Sequence, residues 1–338
     1  MKEREGCWDF LKFFLIVLVV FGHFLGPNTC SSILADRALF NLIYSFHMPL
    51  FVFISGRFSS TEFKGKYLFS IIRLLETYLV FQIVLFFVYY YHSTDTPAHI
   101  VYELIVYPRF ALWYLLCLIV WRLSLFIIEW LRKKISINNE TVFNVIMVVL
   151  SLLIGLSSGF ISLEHQFSFQ RMFSFFPFFV LGFASRNFRI KEALDRHLNV
   201  WISCAVLVSI IVSFQLLFNK SMDEVVTNSY SYLSFGSYSK GLIYRFIYYT
   251  LALIISTLLI RLSPVESKLS KYGRITLFLY VYHIFIVKSM QGIHLCPVMI
   301  YVVSFLTIVI LLALTRISLL SKLLNPISNA LTLKKGLR

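Results

Sequence analysis

The chain has 338 residues, of which 59% are hydrophobic and only 14% are charged. A soluble globular domain carries about 25% charged residues, so this composition excludes an ordinary water-soluble fold and indicates a protein built for lipid. The formal net charge of +15 would indicate nucleic acid binding in a soluble protein, but in a membrane protein basic residues must first be compared with the topology.

The first hydrophobic segment, Trp8 to Gly26, is long enough to span a membrane yet carries Asp9, Lys12 and His23. Along an α-helix, the spacing from Lys12 to His23 is about three turns or about 16 Å, so both side chains lie on one face. Ionisable residues inside a membrane are functional candidates by default. The structural alternative is that Lys12 snorkels to the headgroups and His23 bonds a neighbouring helix.

Hydrophobic runs close to the roughly 20 residues that cross a bilayer recur along the whole chain. They predict an all-α fold, a polytopic integral membrane helical bundle of about ten transmembrane helices in a single domain, residues 1–338. The sixth run is interrupted by Pro177. The predicted spans are 9–26, 38–56, 74–91, 111–129, 142–160, 172–185, 198–218, 241–260, 275–291 and 297–315.

Basic residues set the predicted orientation. With both termini cytoplasmic, the cytoplasmic segments hold most of the 31 Lys and Arg residues, as the positive-inside rule requires. The net charge is then explained by topology, so we expect membrane lipid and no nucleic acid as a partner. We predict a multi-pass protein of the cell (plasma or inner) membrane. Cys30 and Cys296 fall in predicted outer loops, where a disulfide between them is an open alternative.

Two further histidines fall inside predicted spans. His47 precedes Pro49, which frees a backbone carbonyl, so His47 either satisfies the backbone at a kink or serves a site. His283 lies about mid-depth in the ninth span, with Tyr280 one turn below it. No carboxylate lies at comparable depth and no two histidines have i, i+4 spacing, so we predict no metal site and no bound cofactor.

Five motifs in order along most of the chain carry a family resemblance. They are Lys12 and His23 in a basic-x10-His arrangement, Phe46–Phe51 followed by Ser55-Gly56, Leu112-Trp113-Tyr114, Phe175–Gly182 (FFPFFVLG), and Gly273-Arg274 with Thr276, Tyr280 and His283. On these motifs the chain resembles the acyltransferase-3 membrane O-acyltransferases, and among them the fucose 4-O-acetylase-like sugar acetyltransferases. Where the family often has two arginines three apart, this chain has Ser70 and Arg73.

The resemblance implies transfer of an acyl group, usually acetyl from acetyl-CoA, to a hydroxyl of a cell-surface polysaccharide or lipid-linked glycan. A sugar hydroxyl needs a positioned base, which a neutral histidine supplies near pH 7. We therefore predict His23 as the general base, while a transient acyl-histidine stays open. Lys12 is expected to attract phosphates or to fix Asp9, so all three residues are catalytic candidates.

We expect a pocket that passes through the membrane, entered by the donor from the cytoplasmic face and by the acceptor from the outer face or the lipid. The remaining candidates belong to its two ends. Candidates for orienting the acyl carbonyl or the acceptor are His47, His283, Tyr280, Arg109, Arg171 and Trp113. Candidates for binding acyl-CoA at the inner face are Ser55, Gly56, Lys64, Lys66 and Arg73. The two lysines also fit a role as topology-setting charges, and Arg109 also fits an interface anchor.

A multi-pass transporter or exporter of a lipid-linked sugar is the main alternative function, because ten spans and three intramembrane histidines would permit it. Against it, the sequence shows no repeated halves and no matching pair of broken helices, which transporters commonly have. A catalytically inactive homologue acting as a sensor is a third hypothesis. The oligomeric state is not predicted.

Overall fold

The computed structural model describes residues 6–26, 34–62, 65–91, 96–135, 139–163, 166–216, 222–293 and 295–327. Over these ranges the chain forms α-helices joined by short 3-10 turns, with no strand. The helices are α1 Gly6–Leu25, α2 Leu34–Arg57, α3 Gly65–Tyr89, α4 Pro97–Val106, α5 Trp113–Ile135, α6 Glu140–Ser157, α7 Phe169–Ser174, α8 Phe176–Ala184, α9 Ile190–His197, α10 Val200–Leu216, α11 Met222–Thr227, α12 Tyr238–Leu262, α13 Thr276–Ser289, α14 Pro297–Leu314 and α15 Ser318–Leu323.

Seven helices in the described ranges are long and apolar enough to cross a membrane, namely α1, α2, α3, α5, α6, α12 and α14. Two bent pairs, α7–α8 at 46° and α9–α10 at 96°, raise the number to nine if each pair is one span. The ninth predicted span corresponds to α13, which has only 14 residues. The all-α membrane fold is thus confirmed, while the count of ten spans and the cytoplasmic termini stay predictions.

The crossing of α2 and α8 depends on two glycines. A Cβ on Gly56 would lie 2.0 Å from the carbonyl oxygen of Phe179, and a Cβ on Gly182 would lie 2.0 Å from that of Phe53. Such close backbones leave room for no side chain at either position. Because α2 also contacts α1, α10 and α12, this crossing fixes the helix that carries His47.

A second close contact joins α1 to the 3-10 turn Lys268–Arg274. A Cβ on Gly273 would lie 2.3 Å from the carbonyl oxygen of Asp9, so only glycine fits there. The Ser270 hydroxyl donates a hydrogen bond of 2.9 Å to the carbonyl of Gly6. Since α13 follows this turn and also packs on α1, the first and ninth predicted spans lie side by side.

Candidate active site

His23 lies near the end of α1 in a cluster of rings. The ring of His283 stacks on it at 5.2 Å between centroids with an interplanar angle of 27°, and the ring of Phe110 lies at 4.7 Å. The Tyr44 ring meets it edge-on, with the hydroxyl 3.5 Å from Nδ1 of His23. The imidazole is therefore held by groups from α2, α13 and the turn before α5.

Hydrogen bonds fix the proton position in the other two intramembrane histidines. Nδ1 of His283 lies 3.2 Å from the carbonyl of Leu279, and Nδ1 of His47 lies 2.7 Å from the carbonyl of Ile43. A carbonyl oxygen only accepts, so Nδ1 carries the proton in each neutral ring and Nε2 is the acceptor. Pro49 frees the carbonyl of the residue four positions before it, which is Ser45. His47 bonds the carbonyl of Ile43 instead.

Two small cavities meet at His23. The histidine cavity has a volume of about 190 Å³ and the outer cavity about 230 Å³. Shared by both linings are His23, Tyr44, Phe110, Arg171 and Thr227. The histidine cavity is completed by Val19, His47, Met48, Trp113, Phe175, Val226 and Tyr280. The outer cavity is completed by Gly26, Phe40, Asp223, Glu224, Tyr230 and Gln291.

A larger cavity of about 620 Å³ lies toward the start of α1 and is called the basic cavity, because its described lining contains four cations and no carboxylate. The cations are Lys12, Arg73, Arg122 and Arg274. Lys12 lies 3.4 Å from Asp9, which is itself buried and outside the lining. The Arg73 Nε donates to the side-chain oxygen of Asn325 at 3.1 Å. The cavity therefore favours an anionic ligand.

Tyr280 lines both the basic cavity and the histidine cavity. Its hydroxyl donates to the carbonyl of Ala111, and its ring lies 5.5 Å from that of Tyr114. The basic cavity and the cavity that contains His23 therefore adjoin at this side chain. The same helix contributes Lys12 to the first and His23 to the second, in line with the predicted shared face.

Arg109 lies away from these three cavities. It is buried, forms an ion pair with Glu103, and its guanidinium lies over the ring of Tyr90 at 4.6 Å. Its backbone N–H donates to the side chain of Gln82 at 2.8 Å. The structure thus uses Arg109 to join α3 and α4, whereas its neighbour Trp113 does line the histidine cavity.

The predicted donor-binding residues separate into two groups. Ser55 lines the basic cavity and its hydroxyl lies 2.6 Å from that of Tyr114. Gly56 instead faces the backbone of α8, so the interpretation that it lets a ligand approach backbone amides does not hold. Lys66 is exposed outside the lining. Lys64, like Cys30 of the disulfide alternative, lies outside the described residues.

Residues with a left-handed backbone lie beside His23 or near residues of its cavities. In the described ranges, the residues other than glycine with positive φ, between 48° and 51°, are Phe110, Phe167, Ser168 and Asn228. Phe110 packs on His23, Ser168 precedes the helix that carries Arg171, and Asn228 follows a residue that lines both small cavities. Each such conformation costs on the order of 1–3 kcal/mol and persists where the surroundings impose it, typically at functional sites.

Sequence reasoning missed several lining residues. Arg122 carried a signal, since it is an ionisable residue within the fourth predicted span, and Arg274 belongs to one of the five motifs. Asp223, Glu224 and Tyr230 of the outer cavity come from a segment between spans that carries no motif. No pattern in the sequence could have placed these three residues beside His23.

The fold and these cavities define a multi-pass membrane protein whose histidine site is approached from two sides. Residues 5–319 match the model of a family described as an acyltransferase domain. The chain therefore belongs to the acyltransferase-3 family, as its five motifs indicated, and this family membership supports an enzyme that transfers acyl groups.

A relative among known proteins is the nodulation protein NolL of Sinorhizobium fredii (strain NBRC 101917 / NGR234). It is 44% identical over 63 residues, which cover 18% of this chain and 17% of that protein. The chain thus matches only a small part of this relative's length. No solved structure matches the chain. Membership of the fucose 4-O-acetylase-like subgroup stays a prediction.

Proposed function

We propose that the chain is an O-acetyltransferase that moves an acetyl group from cytoplasmic acetyl-CoA to a sugar hydroxyl of a cell-surface polysaccharide or lipid-linked glycan. The observation that carries this proposal is the position of Tyr280, which lines both the basic cavity and the histidine cavity. The acyl end of a donor bound among the cations would reach His23 past this shared side chain.

The basic cavity suits the donor. Coenzyme A carries several phosphates at one end, and arginine binds phosphate through charge-assisted, bidentate hydrogen bonds. Four cations and no carboxylate in the described lining match that charge. The acyl-bearing arm is then directed along α1, where about 16 Å of helix separates Lys12 from His23. An extended pantetheine arm is of this length.

The outer cavity suits a sugar acceptor. Phe40 and Tyr230 offer apolar ring surfaces, while Asp223, Glu224 and Gln291 offer hydrogen-bond acceptors and an amide. Apolar rings with a few placed polar groups are the usual lining of a small-molecule site. A sugar held there presents a hydroxyl toward His23, which lines both small cavities.

His23 is the general base in this proposal. A neutral imidazole accepts the proton of the acceptor hydroxyl as the oxygen attacks the thioester carbonyl. The stacked ring of His283 and the rings of Phe110 and Tyr44 keep the imidazole of His23 in place. His283 lies behind His23 and outside the described cavity linings, so its role is positioning.

The test is acetyl transfer by the purified full chain in lipid nanodiscs, with a glycan extract from the source cells as acceptor. His23→Ala should lower the rate by about 10²–10⁴-fold, the usual contribution of a general base. His99→Ala is the matched control, because His99 is exposed and outside the cavities. Proton NMR of the glycan reports its O-acetyl content.

Unchanged acetylation by His23→Ala would reject His23 as the base. A wild-type chain that neither hydrolyses acetyl-CoA nor transfers its acetyl group would reject the enzyme proposal and favour the transporter alternative, since a transporter shows neither activity.

A further inference from the structure

We infer that Arg171 stabilises the oxyanion that forms on the acyl carbonyl oxygen during transfer, and that the acceptor in the outer cavity is an uncharged polyhydroxyl compound. This inference rests on the proposed acyl transfer. It assigns Arg171 to the reacting carbonyl and not to the recognition of a charged acceptor.

The hydrogen bonding of Arg171 leaves most of its donors available. Its Nε donates to the carbonyl of Thr227 at 3.3 Å, and its guanidinium lies over the Trp113 ring at 5.0 Å from the centroid. No carboxylate of the described residues lies within 4.0 Å of its nitrogens. Four of the five N–H donors of the guanidinium are carried by its two Nη atoms, and no described residue accepts from them.

The position of Arg171 brings these donors to the reaction. Its side chain lines the histidine cavity and the outer cavity, as does that of His23. A group that serves both cavities is suited to the point where donor and acceptor meet. Positive charge fixed in a site that excludes bulk water stabilises a developing oxyanion strongly, because it needs no reorganisation during the reaction.

The charges of the outer cavity disfavour an anionic acceptor. Its lining contains Asp223 and Glu224, and Asp223 is held by Arg37 at 2.8 Å and Asn41 at 2.7 Å. Because Asp223 is already paired, Glu224 is the carboxylate that a phosphate or carboxylate on the acceptor would meet; no described cation lies within 4.0 Å of it. Hydroxyl groups, in contrast, donate hydrogen bonds to carboxylates. Arg171, the arginine of the described lining, is therefore assigned to the carbonyl, and Glu224 to the hydroxyl groups of the acceptor.

The backbone around Arg171 is consistent with an imposed position. Two consecutive residues with positive φ, Phe167 and Ser168, precede its short helix, and Asn228 follows the residue whose carbonyl Arg171 bonds. Strained conformations persist where the structure over-determines them. They flank Arg171 on both segments that hold it, and the bond to Thr227 and the contact with Trp113 give its guanidinium a defined place.

The step balances as follows. His23 accepts the proton of the acceptor hydroxyl while the hydroxyl oxygen bonds to the thioester carbonyl carbon. The π electron pair of the carbonyl moves to its oxygen, and Arg171 donates hydrogen bonds to this oxyanion. When the pair returns, the carbon–sulfur bond breaks. The thiolate takes the proton from the imidazolium, so coenzyme A leaves as the free thiol and the ester stays on the acceptor.

The test uses water as the acceptor, so no glycan needs to be identified. The full chain in nanodiscs is given acetyl-CoA alone, and release of free thiol measures hydrolysis. Arg171→Met should lower kcat for hydrolysis by about 10²–10³-fold, the usual cost of losing an oxyanion donor. Arg171→Lys should fall between Met and wild type. The KM for acetyl-CoA should not change.

Arg245→Lys is the matched control, because Arg245 is a buried arginine, bonded to the Ser158 hydroxyl at 3.3 Å and outside the described cavity linings. It should hydrolyse acetyl-CoA at the wild-type rate. Affinity for coenzyme A, measured by calorimetry, shows that each variant is folded, and Arg171→Lys serves where Arg171→Met fails this check.

A folded Arg171 variant that hydrolyses acetyl-CoA with the wild-type kcat, and is impaired only in transfer to sugar, would overturn the inference. Arg171 would then be an acceptor-binding residue. Lower sugar transfer with a raised KM for the glycan and intact hydrolysis would do the same. Absence of both hydrolysis and acetyl transfer in the wild-type chain would instead overturn the proposed function and, with it, the inference. Loss of hydrolysis in Arg171→Met with unchanged affinity for coenzyme A would support it.

Discussion

Arg122 and Arg274 are the two cations of the basic cavity that the donor hypothesis had not included. Arg122 comes from α5 and lies over the ring of Tyr67 at 5.8 Å, and its buried Nε has no hydrogen-bond partner in the described structure. Arg274 ends the turn that packs on α1. A buried guanidinium nitrogen without an acceptor is costly, and a phosphate would remove that cost.

We therefore predict that Arg122→Gln and Arg274→Gln each raise the KM for acetyl-CoA. A hydrogen bond to a charged group contributes about 1.5–3 kcal/mol, so the increase should be about tenfold or more, because 1.4 kcal/mol is about a tenfold change. The kcat at saturating donor should change little, since neither residue lines the histidine cavity. Steady-state hydrolysis of acetyl-CoA measures both constants.

Arg186→Gln is the control for this pair. Arg186 follows the sixth predicted span, on the cytoplasmic side of the predicted topology, but pairs with Glu140 at 3.2 Å and lies outside the basic cavity. A KM increase as large in Arg186→Gln as in Arg122→Gln would show that general surface charge, and not the cavity, attracts the donor. Unchanged KM in both cavity variants would remove the donor from this cavity.

At the residue level, the sequence predicted the type of chemistry better than the set of residues. Four of the predicted residues line cavities, namely His23, Lys12, His47 and Tyr280. They could be predicted because they share one helix face or belong to the five ordered motifs. Arg122 was not selected, because a basic residue in an apolar run reads equally well as a snorkelling side chain. Which cations converge depends on how each helix is rotated, and a single sequence does not contain that information.

The positions of these residues depend on how the helices cross. At the crossing of α2 and α8 a Cβ added to glycine would come closer to the neighbouring backbone than at any other described glycine. We predict that Gly182→Ala destabilises the protein, because its Cβ would meet the carbonyl oxygen of Phe53 at 2.0 Å. Forcing extra volume into packed structure costs about 1–3 kcal/mol. Thermal unfolding in detergent, followed by tryptophan fluorescence, should therefore show a lower midpoint.

Gly26→Ala is the control for this crossing. A Cβ on Gly26 would lie 3.7 Å from its nearest neighbours, which is ordinary van der Waals contact, so its unfolding midpoint should stay near that of wild type. An equal midpoint for Gly182→Ala and wild type would mean that α2 and α8 separate at little cost, and that the crossing does not hold His47 in place.

Among the elements, straight apolar helices were predicted well and bends were not. Within the described ranges each predicted span overlaps a helix, and the sixth overlaps the bent pair α7–α8, because hydrophobic length alone reports such segments. The break at Pro177 was visible in the sequence, whereas the 96° bend between α9 and α10 was not. At that bend the side chain of Asn199 accepts from the backbone N–H of Trp201 at 2.8 Å, and a lone asparagine predicts no such angle.

The whole molecule presents apolar side chains outward. Leu79, Phe126, Leu153 and Phe305, from α3, α5, α6 and α14, are all exposed. Large apolar side chains exposed on several long helices indicate a lipid-facing belt in a protein of this composition. Within that belt α1 lines both the basic cavity and the outer cavity. Lys12, near the start of α1, lines the first, and His23, near its end, lines the second. The enzyme proposal therefore requires the basic cavity to face the cytoplasm, where acyl-CoA is found.

Cysteine labelling with a membrane-impermeant maleimide tests this orientation. In a Cys30→Ser, Cys296→Ser background, Lys133→Cys should react only after permeabilisation, and Lys240→Cys should react in intact cells. Both lysines are exposed, one at the end of α5 and one near the start of α12, and positive charge places the first inside. The background protein alone should stay unlabelled. The reverse pattern would turn the basic cavity away from cytoplasmic acetyl-CoA and remove the donor route on which the enzyme proposal depends.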